Sequence, residues 1–575
     1  MFTDNNDKKK GLLFQAGILA AAGMISRVIG VLYSSPLAAI IGDEGNGYYG
    51  AAYAIYTIIL LISSYSIPSA MSKIISQRLA VKEYRNAHKI FRCALIYVTI
   101  VGAVGSLILL LGANFLATGR AATVLRVFAP TIFFFGYLGV LRGYFQAHRT
   151  MVPTSISQLV EQVFNAIVSI SAALILTNIA GNEDPSRRAV YGAIGSAIGT
   201  GSGVVIALIF MFSVYRINKK AIMKKVASDD HDELSSKEIY KLIFLIVTPF
   251  IMSTFIYNLS TSLNSTLFSR ILIQFKGMDE AVVASMYGIF NRKAMVITNL
   301  PIAFASAAAA AMIPEISTLF AKGDKEGASS TITKVTKIIL LIAIPCAAGL
   351  FFLAKPVMMI LFPQRVSIDE AAMLLRILSV TVVFYSLSTV SNAVLQGIGK
   401  VNIPVINAVI ALVAQTAVLS MLLIFTDFTD ISLCVVTIVY SLLMCILNAA
   451  SLKRYISTTT NYKKTYFLPI ASSVIMGGVA YLTYDLVVLI IFGIKKLTGA
   501  FTDPEIGFLD FMYSNYFVNL FAAIIAIAVA AFVYFAVLIR SGGTTEEEIR
   551  KFPKGASIAA FLKKLRILKP MEYLD

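Results

Sequence analysis

The chain has 575 residues, 58% hydrophobic and only 14% charged, with a mean hydropathy of +0.79. Soluble domains are roughly 25% charged, so this composition excludes a string of soluble domains and points to a polytopic membrane protein. The net charge of +18, from 49 Lys+Arg against 31 Asp+Glu, then reads as cations gathered in cytoplasmic loops, with no nucleic-acid partner.

The first apolar stretch runs from Gly11 to Ile41 and carries Arg27 near its middle. Lys8, Lys9 and Lys10 before it imitate a signal peptide, but the run is too long for one and holds a charge, so it reads as a retained first span. About fourteen spans are expected, since about twenty apolar residues make one. They start near Gly11, Gly47, Ala87, Ala122, Thr154, Ala189, Tyr240, Ala281, Thr333, Ala371, Ile403, Ile431, Thr465 and Met512. All read as helices, because spanning backbone must satisfy its own hydrogen bonds. The expected fold is therefore an all-α polytopic membrane protein: two six-helix bundles plus two extra C-terminal helices.

Alternate loops are rich in cations, among them Lys73 to Arg92, Arg216 to Lys225, and Lys453 to Lys464. The opposite loops hold Asp43, Glu44, Asp427, Asp430 and Asp503, although one carries Arg187 and Arg188. This places both termini in the cytoplasm. The expected division is a six-helix lobe over 1–216, a cytoplasmic linker over 217–237, a second lobe over 238–456, two added helices over 457–541 and a tail over 542–575. Ser557 to Leu568 in that tail is basic and amphipathic, suited to lying on the inner membrane face or to packing on the protein.

An internal repeat supports the two lobes. Leu125-Arg126-Val127-Phe128-Ala129-Pro130-Thr131 faces Leu375-Arg376-Ile377-Leu378-Ser379-Val380-Thr381. Tyr49-Gly50 faces Tyr287-Gly288, and Gln146 faces Gln396. Six spans per copy gives a parallel repeat, as in transporters whose two bundles rock about a cleft.

Three ionisable groups stand out inside predicted spans, Arg27, Glu161 and Arg292, and the thirteenth span also contains Asp485. A cation at mid-membrane costs ~3 kcal/mol on insertion scales and above ~10 kcal/mol in simulations, so such residues face a cavity or a partner. Guanidinium binds phosphate bidentately and stays charged, which makes Arg27 and Arg292 candidate donors for an anionic head group. Gln158, Glu161, Gln162 and Asn165 share one helix face. Glu161 is either a cavity wall that counters Arg27 or Arg292, or one half of a buried pair that fixes helix packing. Asn291 precedes Arg292. Asn258, Ser260, Thr261, Ser262, Asn264, Ser265 and Thr266 make a polar wall in the seventh span, read as lining a cavity. Arg126, Arg142 and Arg376 sit nearer span ends and read as snorkelling or structural.

No Walker A, GxSxG, HExxH or dinucleotide motif is present, so no enzyme activity, metal or cofactor is expected. Cys93, Cys346, Cys434 and Cys445 form no CxxC pair and read as packing residues.

At Ser26-Arg27-Val28-Ile29-Gly30 the chain resembles the multidrug/oligosaccharidyl-lipid/polysaccharide exporter superfamily, in particular the lipid II flippase and stage V sporulation branch of Gram-positive bacteria. Ile67-Pro68-Ser69-Ala70-Met71-Ser72-Lys73, Arg142-Gly143-Tyr144-Phe145-Gln146 and Ala393-Val394-Leu395-Gln396-Gly397 extend the resemblance over nearly the whole chain. It implies two lobes forming a V around a cationic cavity, with a groove for a polyprenyl tail on the last two helices. The family's cavity arginines fall here on Arg27 and Arg292. Gram-negative members carry a further Arg-Asp in the first span, where this chain has Tyr33 and Ser34. The implied function is flipping of an undecaprenyl-pyrophosphate-linked cell-wall precursor across the bacterial cytoplasmic membrane, with Arg27, Arg292, Glu161, Asn165, Asn264 and Asn291 as binding residues. Implied partners are the lipid-linked oligosaccharide, membrane lipids and, as candidates, cell-wall synthesis proteins. The alternatives are a cation-coupled multidrug exporter, an exporter of another lipid-linked polysaccharide or spore cortex precursor, and a non-transporting scaffold.

Overall fold

The computed structural model describes residues 5–543 except 66, 149, 363–365, 457–460, 499–507, 509–510 and 512–514, together with residue 560. The amphipathic tail segment expected over 557–568 falls almost wholly outside the described residues.

The described residues are helical, with no strand. In chain order the helices are α1 (Asn5–Leu60), α2 (Ile67–Ala80), α3 (Tyr84–Leu116), α4 (Ala121–Ala147), α5 (Val152–Ala180), α6 (Pro185–Ala227), α7 (Ser236–Arg270), α8 (Glu280–Gly288) and α9 (Met295–Ala321). Then follow α10 (Lys325–Phe352), α11 (Ala354–Leu361), α12 (Ile368–Leu378), α13 (Thr381–Gly397), α14 (Asn402–Phe425), α15 (Asp430–Lys453), α16 (Leu468–Leu497) and α17 (Tyr516–Arg540). Among the described residues ten helices are long and apolar enough to cross a membrane, or eleven if the pair α12 and α13, bent by 41°, counts as one. The chain is a multi-pass membrane protein.

The helix α1 is two helices in register with a break at Gly42, whose φ of 68° lies in the left-handed region. Only glycine takes that conformation cheaply, and the break falls between the two spans expected there. Polar side chains open several later helices. Asp184 accepts from the Arg187 N–H, Asp279 from Ala281 and Val282, and Asp324 from Gly327. Each fills an orphan donor of a first turn.

The stretch expected as a linker over 217–237 is helical at both ends. The cationic segment continues α6 as far as Ala227, with Lys224 and Lys225 in the last turn, where cations suit the helix dipole. Ser235 and Glu238 make a capping box that starts α7. The short segment between them docks on α3. Asp229 Oδ2 accepts from the Arg85 N–H at 2.6 Å, and Asn86 Oδ1 accepts from the Leu234 N–H at 2.8 Å. This replaces a free tether by a clamp.

The chain falls into two compact units: residues 1–292 with 408–433, and residues 293–407 with 434–575. In the first, Leu125, Phe128 and Ile132 of α4 are fully buried against Tyr48, Tyr49 and Tyr56 of α1. A second cluster gathers Met71 and Ile74 of α2, Ile90 and Phe91 of α3, and Ile239 and Ile243 of α7. In the second unit, Ala305, Met312 and Ile316 of α9 pack with Val390 and Val394 of α13. The two repeat-related stretches differ in backbone. The helix α4 runs unbroken through Pro130, whereas the chain bends between Leu378 and Thr381.

Candidate functional site

The sequence candidates Arg27, Glu161, Asn165, Asn264, Asn291 and Arg292 all lie in the first unit. Arg292 sits on a π-helical turn, Ile289–Ala294, that joins α8 to α9. A π turn interrupts the i→i−4 ladder and re-aims its side chains, and such turns recur at functional sites. The Arg292 guanidinium carbon lies 4.8 Å from the centroid of the Tyr49 ring, a cation–π geometry. Tyr33 and Tyr53 are close enough to act on the same guanidinium electrostatically. The Arg292 Nε is buried with no hydrogen-bond partner among the described residues. Guanidinium has five N–H donors, so part of this one's capacity is unspent.

Asn165 closes a ring of contacts around that arginine. Its Nδ2 donates to the Tyr33 hydroxyl at 3.4 Å, and its Oδ1 accepts from Ser169 at 3.0 Å and from Thr200 at 3.5 Å. Thr200 in turn lies 3.1 Å from the Tyr49 hydroxyl. Both halves of α1, together with α5 and α6, thus converge on Arg292. The neighbouring Asn291 donates to the Tyr287 hydroxyl at 3.4 Å and faces Gly50 of α1, where a Cβ would sit 3.1 Å from its Oδ1.

Arg27 lies on the same helix as Tyr33, about 9 Å before it along the axis. Its side chain is exposed. One turn on, Gly30 lets α1 approach Gln162 of α5, and Leu37 and Ile41 bury against Ala173 of the same helix. The stripe that carries Arg27 therefore faces α5, the helix of Glu161 and Asn165.

Glu161 does not serve as the counter-ion for Arg27 or Arg292. Its Oε2 pairs with Arg142 Nη2 at 2.7 Å, and Arg142 Nε donates to Ser157 at 2.8 Å. Arg142, expected near a span end, is buried in α4 with 8% of its side chain exposed. A guanidinium that deep needs a carboxylate, and α5 supplies it.

Asn264 also departs from expectation. It is buried, and its Oδ1 accepts from Gln415 of α14, whose own Oε1 accepts from Ser260 at 2.8 Å. These members of the polar wall bind helix to helix and do not face a hollow. In the apolar medium a buried amide costs too much to leave unpaired.

The sequence reading missed Tyr49 and Thr200 as neighbours of Arg292, and Arg142 as the partner of Glu161. Tyr33 was visible only as the residue standing where Gram-negative members of the resembled family carry a further arginine.

A family model described as polysaccharide biosynthesis protein matches residues 12–320. The chain belongs to the polysaccharide biosynthesis protein family. A second model, MatE, matches residues 255–422, and the chain has curated relatives as well. It is 24% identical over 412 residues to the lipid II flippase MurJ of Bacillus subtilis (strain 168), covering 69% of this chain and 75% of that one. To stage V sporulation protein B of the same organism it is 22% identical, covering 80% and 87%. Among solved structures, a lipid II flippase MurJ in an inward closed conformation aligns with a TM-score of 0.60 at 17% identity, over 91% of this chain and 99% of that one. An inward-facing multidrug resistance MATE family transporter aligns with a TM-score of 0.58 at 18% identity, over 75% and 96%. The fold is thus the one shared by those MurJ and MATE structures.

Proposed function

We propose that the chain flips an undecaprenyl-pyrophosphate-linked cell-wall precursor, lipid II foremost, across the bacterial cytoplasmic membrane by alternating access. Its fourteen spans comprise lobes over 1–216 and 238–456 and two added helices over 457–541, with both termini in the cytoplasm. The observation that carries this reading is Arg292, held over the Tyr49 ring with a buried N–H unspent, in the same unit as the exposed Arg27. An aromatic cradle keeps a guanidinium charged and positioned without neutralising it, leaving its donors for a pyrophosphate. The protein forms no bond with its cargo. It replaces the water that a charged, sugar-bearing head group loses. Asn165 and Asn291 hold the cradle in shape. Glu161 acts at one remove, through Arg142.

A multidrug exporter is the second reading, and the MatE match over 255–422 favours it. Such a carrier needs a carboxylate to receive a cationic cargo, and Glu161 is already committed to Arg142. The test is complementation of a strain depleted of its own lipid II flippase, with head-group exposure measured on the outer surface. Arg27→Ala and Arg292→Ala should each lower exposure about ten-fold or more, the worth of a lost charge-assisted hydrogen bond. Normal exposure in both normally inserted variants would overturn the assignment.

A further inference from the structure

In the second unit a cavity of about 630 Å³ opens between α11, α12 and α16. It holds two cations, Lys355 and Arg376, two carboxylates, Asp369 and Asp485, and the Tyr481 ring. Lys355 Nζ and Asp369 Oδ1 pair at 2.8 Å. Tyr481 stands one turn before Asp485 on α16, its hydroxyl close enough to act on the carboxylate. Arg376 is exposed, and its guanidinium makes no ion pair or hydrogen bond with the described residues.

Position makes this charge set informative. Asp485 lies about 26 Å along α16 from Leu468 and about 18 Å from Leu497, in the interior of a helix long enough to cross a ~30 Å core. Leu482, Leu486 and Leu489 beside it are 67%, 56% and 54% exposed, so this face of α16 is turned to lipid. Charges on a lipid-turned face are costly unless a polar partner meets them. The site balances to zero, so a purely anionic ligand would leave Asp485 facing negative charge. A ligand carrying a phosphate and an ammonium together answers both Arg376 and Asp485.

We propose that this cavity binds the head group of an aminophospholipid, its phosphate on Arg376 and its ammonium on Asp485, with acyl chains along Leu482, Leu486 and Leu489. The occupant differs in charge and in chain from a polyprenyl pyrophosphate, and the inference does not depend on the flippase reading. Guanidinium grips phosphate in two parallel bonds, while the carboxylate selects for the amine. The Lys355–Asp369 pair holds α11 to α12 and shapes the wall.

The test is native mass spectrometry of the full-length protein released from micelles holding equal phosphatidylethanolamine and phosphatidylglycerol. Wild type should retain the amine lipid about ten-fold over the glycerol lipid. Arg376→Gln should lower retention of both, and Asp485→Asn should abolish the preference while keeping phosphate binding. Free O-phosphoethanolamine at equal concentration should not displace the lipid. Equal retention by wild type, an unchanged preference in Asp485→Asn, or displacement by the free amine would each overturn the proposal. If Asp485→Asn does not fold, Tyr481→Phe, which removes the hydroxyl beside the same carboxylate, should raise the preference. No change in that variant would equally count against the site.

Discussion

The Arg142–Glu161 pair allows packing and transport to be separated. Replacing Glu161 by Leu leaves Arg142, 8% exposed, with Ser157 as its one remaining side-chain partner among the described residues. Removing one member of a buried pair costs roughly 3–5 kcal/mol. Glu161 is 24% exposed, so solvent relieves part of the strain, and about 3 kcal/mol is expected for Glu161→Leu. Glu161→Gln keeps an acceptor at the same place and should cost about half as much. In Arg142→Met/Glu161→Leu no unpaired charge remains, and most of the loss should return. The chain has no tryptophan, so a thiol-reactive dye is the suitable reporter of unfolding. Cys93 is buried in the α2–α3–α4 core and becomes accessible only when that core opens. If Glu161 acts only through helix packing, the double variant should also translocate its cargo at near wild-type rate. Single variants that melt within about 0.5 kcal/mol of wild type, or a double variant as unstable as the sum of the singles, would refute the reasoning.

Four further outcomes follow from the geometry. A Cβ at Gly47 would lie 1.8 Å from the Ala284 carbonyl oxygen, and one at Gly288 2.1 Å from that of Asp43. Gly288→Val should therefore separate α1 from α8, read as a lower melting temperature with the same thiol-reactive dye. Gln415→Ala strands Asn264 and Ser260 and should cost about 1–3 kcal/mol in the same melting assay, whereas Ser260→Ala alone costs about 1 kcal/mol. Tyr49→Phe keeps the ring under Arg292 and should preserve translocation, while Tyr49→Ala should lower it several-fold. The clamp between α6 and α7 should depend on pH. The backbone N–H of Arg85 and the His231 ring hold Asp229 down at about 2, and Asp229 raises His231 above its usual value, helped by Glu83 and Asp230. The His231 contribution is complete below its unfolded value of about 6.5 and fades as pH rises through the raised one. The Asp229 contribution is present above about 3.8 and fades as pH falls through the lowered value. Amide exchange at Arg85, corrected for intrinsic rate, should therefore speed up on the alkaline side, and His231→Ala should flatten that profile.

Much of the architecture was written in one dimension. Runs of twenty or more apolar residues must become helices in lipid because no water is there to satisfy the backbone, and this holds whatever packs beside them. Gly42, Asp279 and Ser235 mark helix boundaries through local conformation or capping alone. Family membership was legible from Arg27 and the ordered short motifs. The partner of each buried polar group was not legible, because pairing depends on which helix faces which. The sequence pointed Glu161 to Arg27 or Arg292, and α4 decided otherwise by bringing Arg142 within 2.7 Å. Asn264 belonged to a polar stripe whose pattern suits a hollow as well as a helix contact, and Gln415 of α14, some 150 residues away, made it a contact. The tyrosine cradle of Arg292 needed both the break at Gly42 and the π turn at Ile289–Ala294. Neither Tyr33 nor Tyr49 is near Arg292 in sequence. Local forces select each helix, while the low dielectric between helices punishes every unmatched charge, so the tertiary arrangement alone decided which residues became a site.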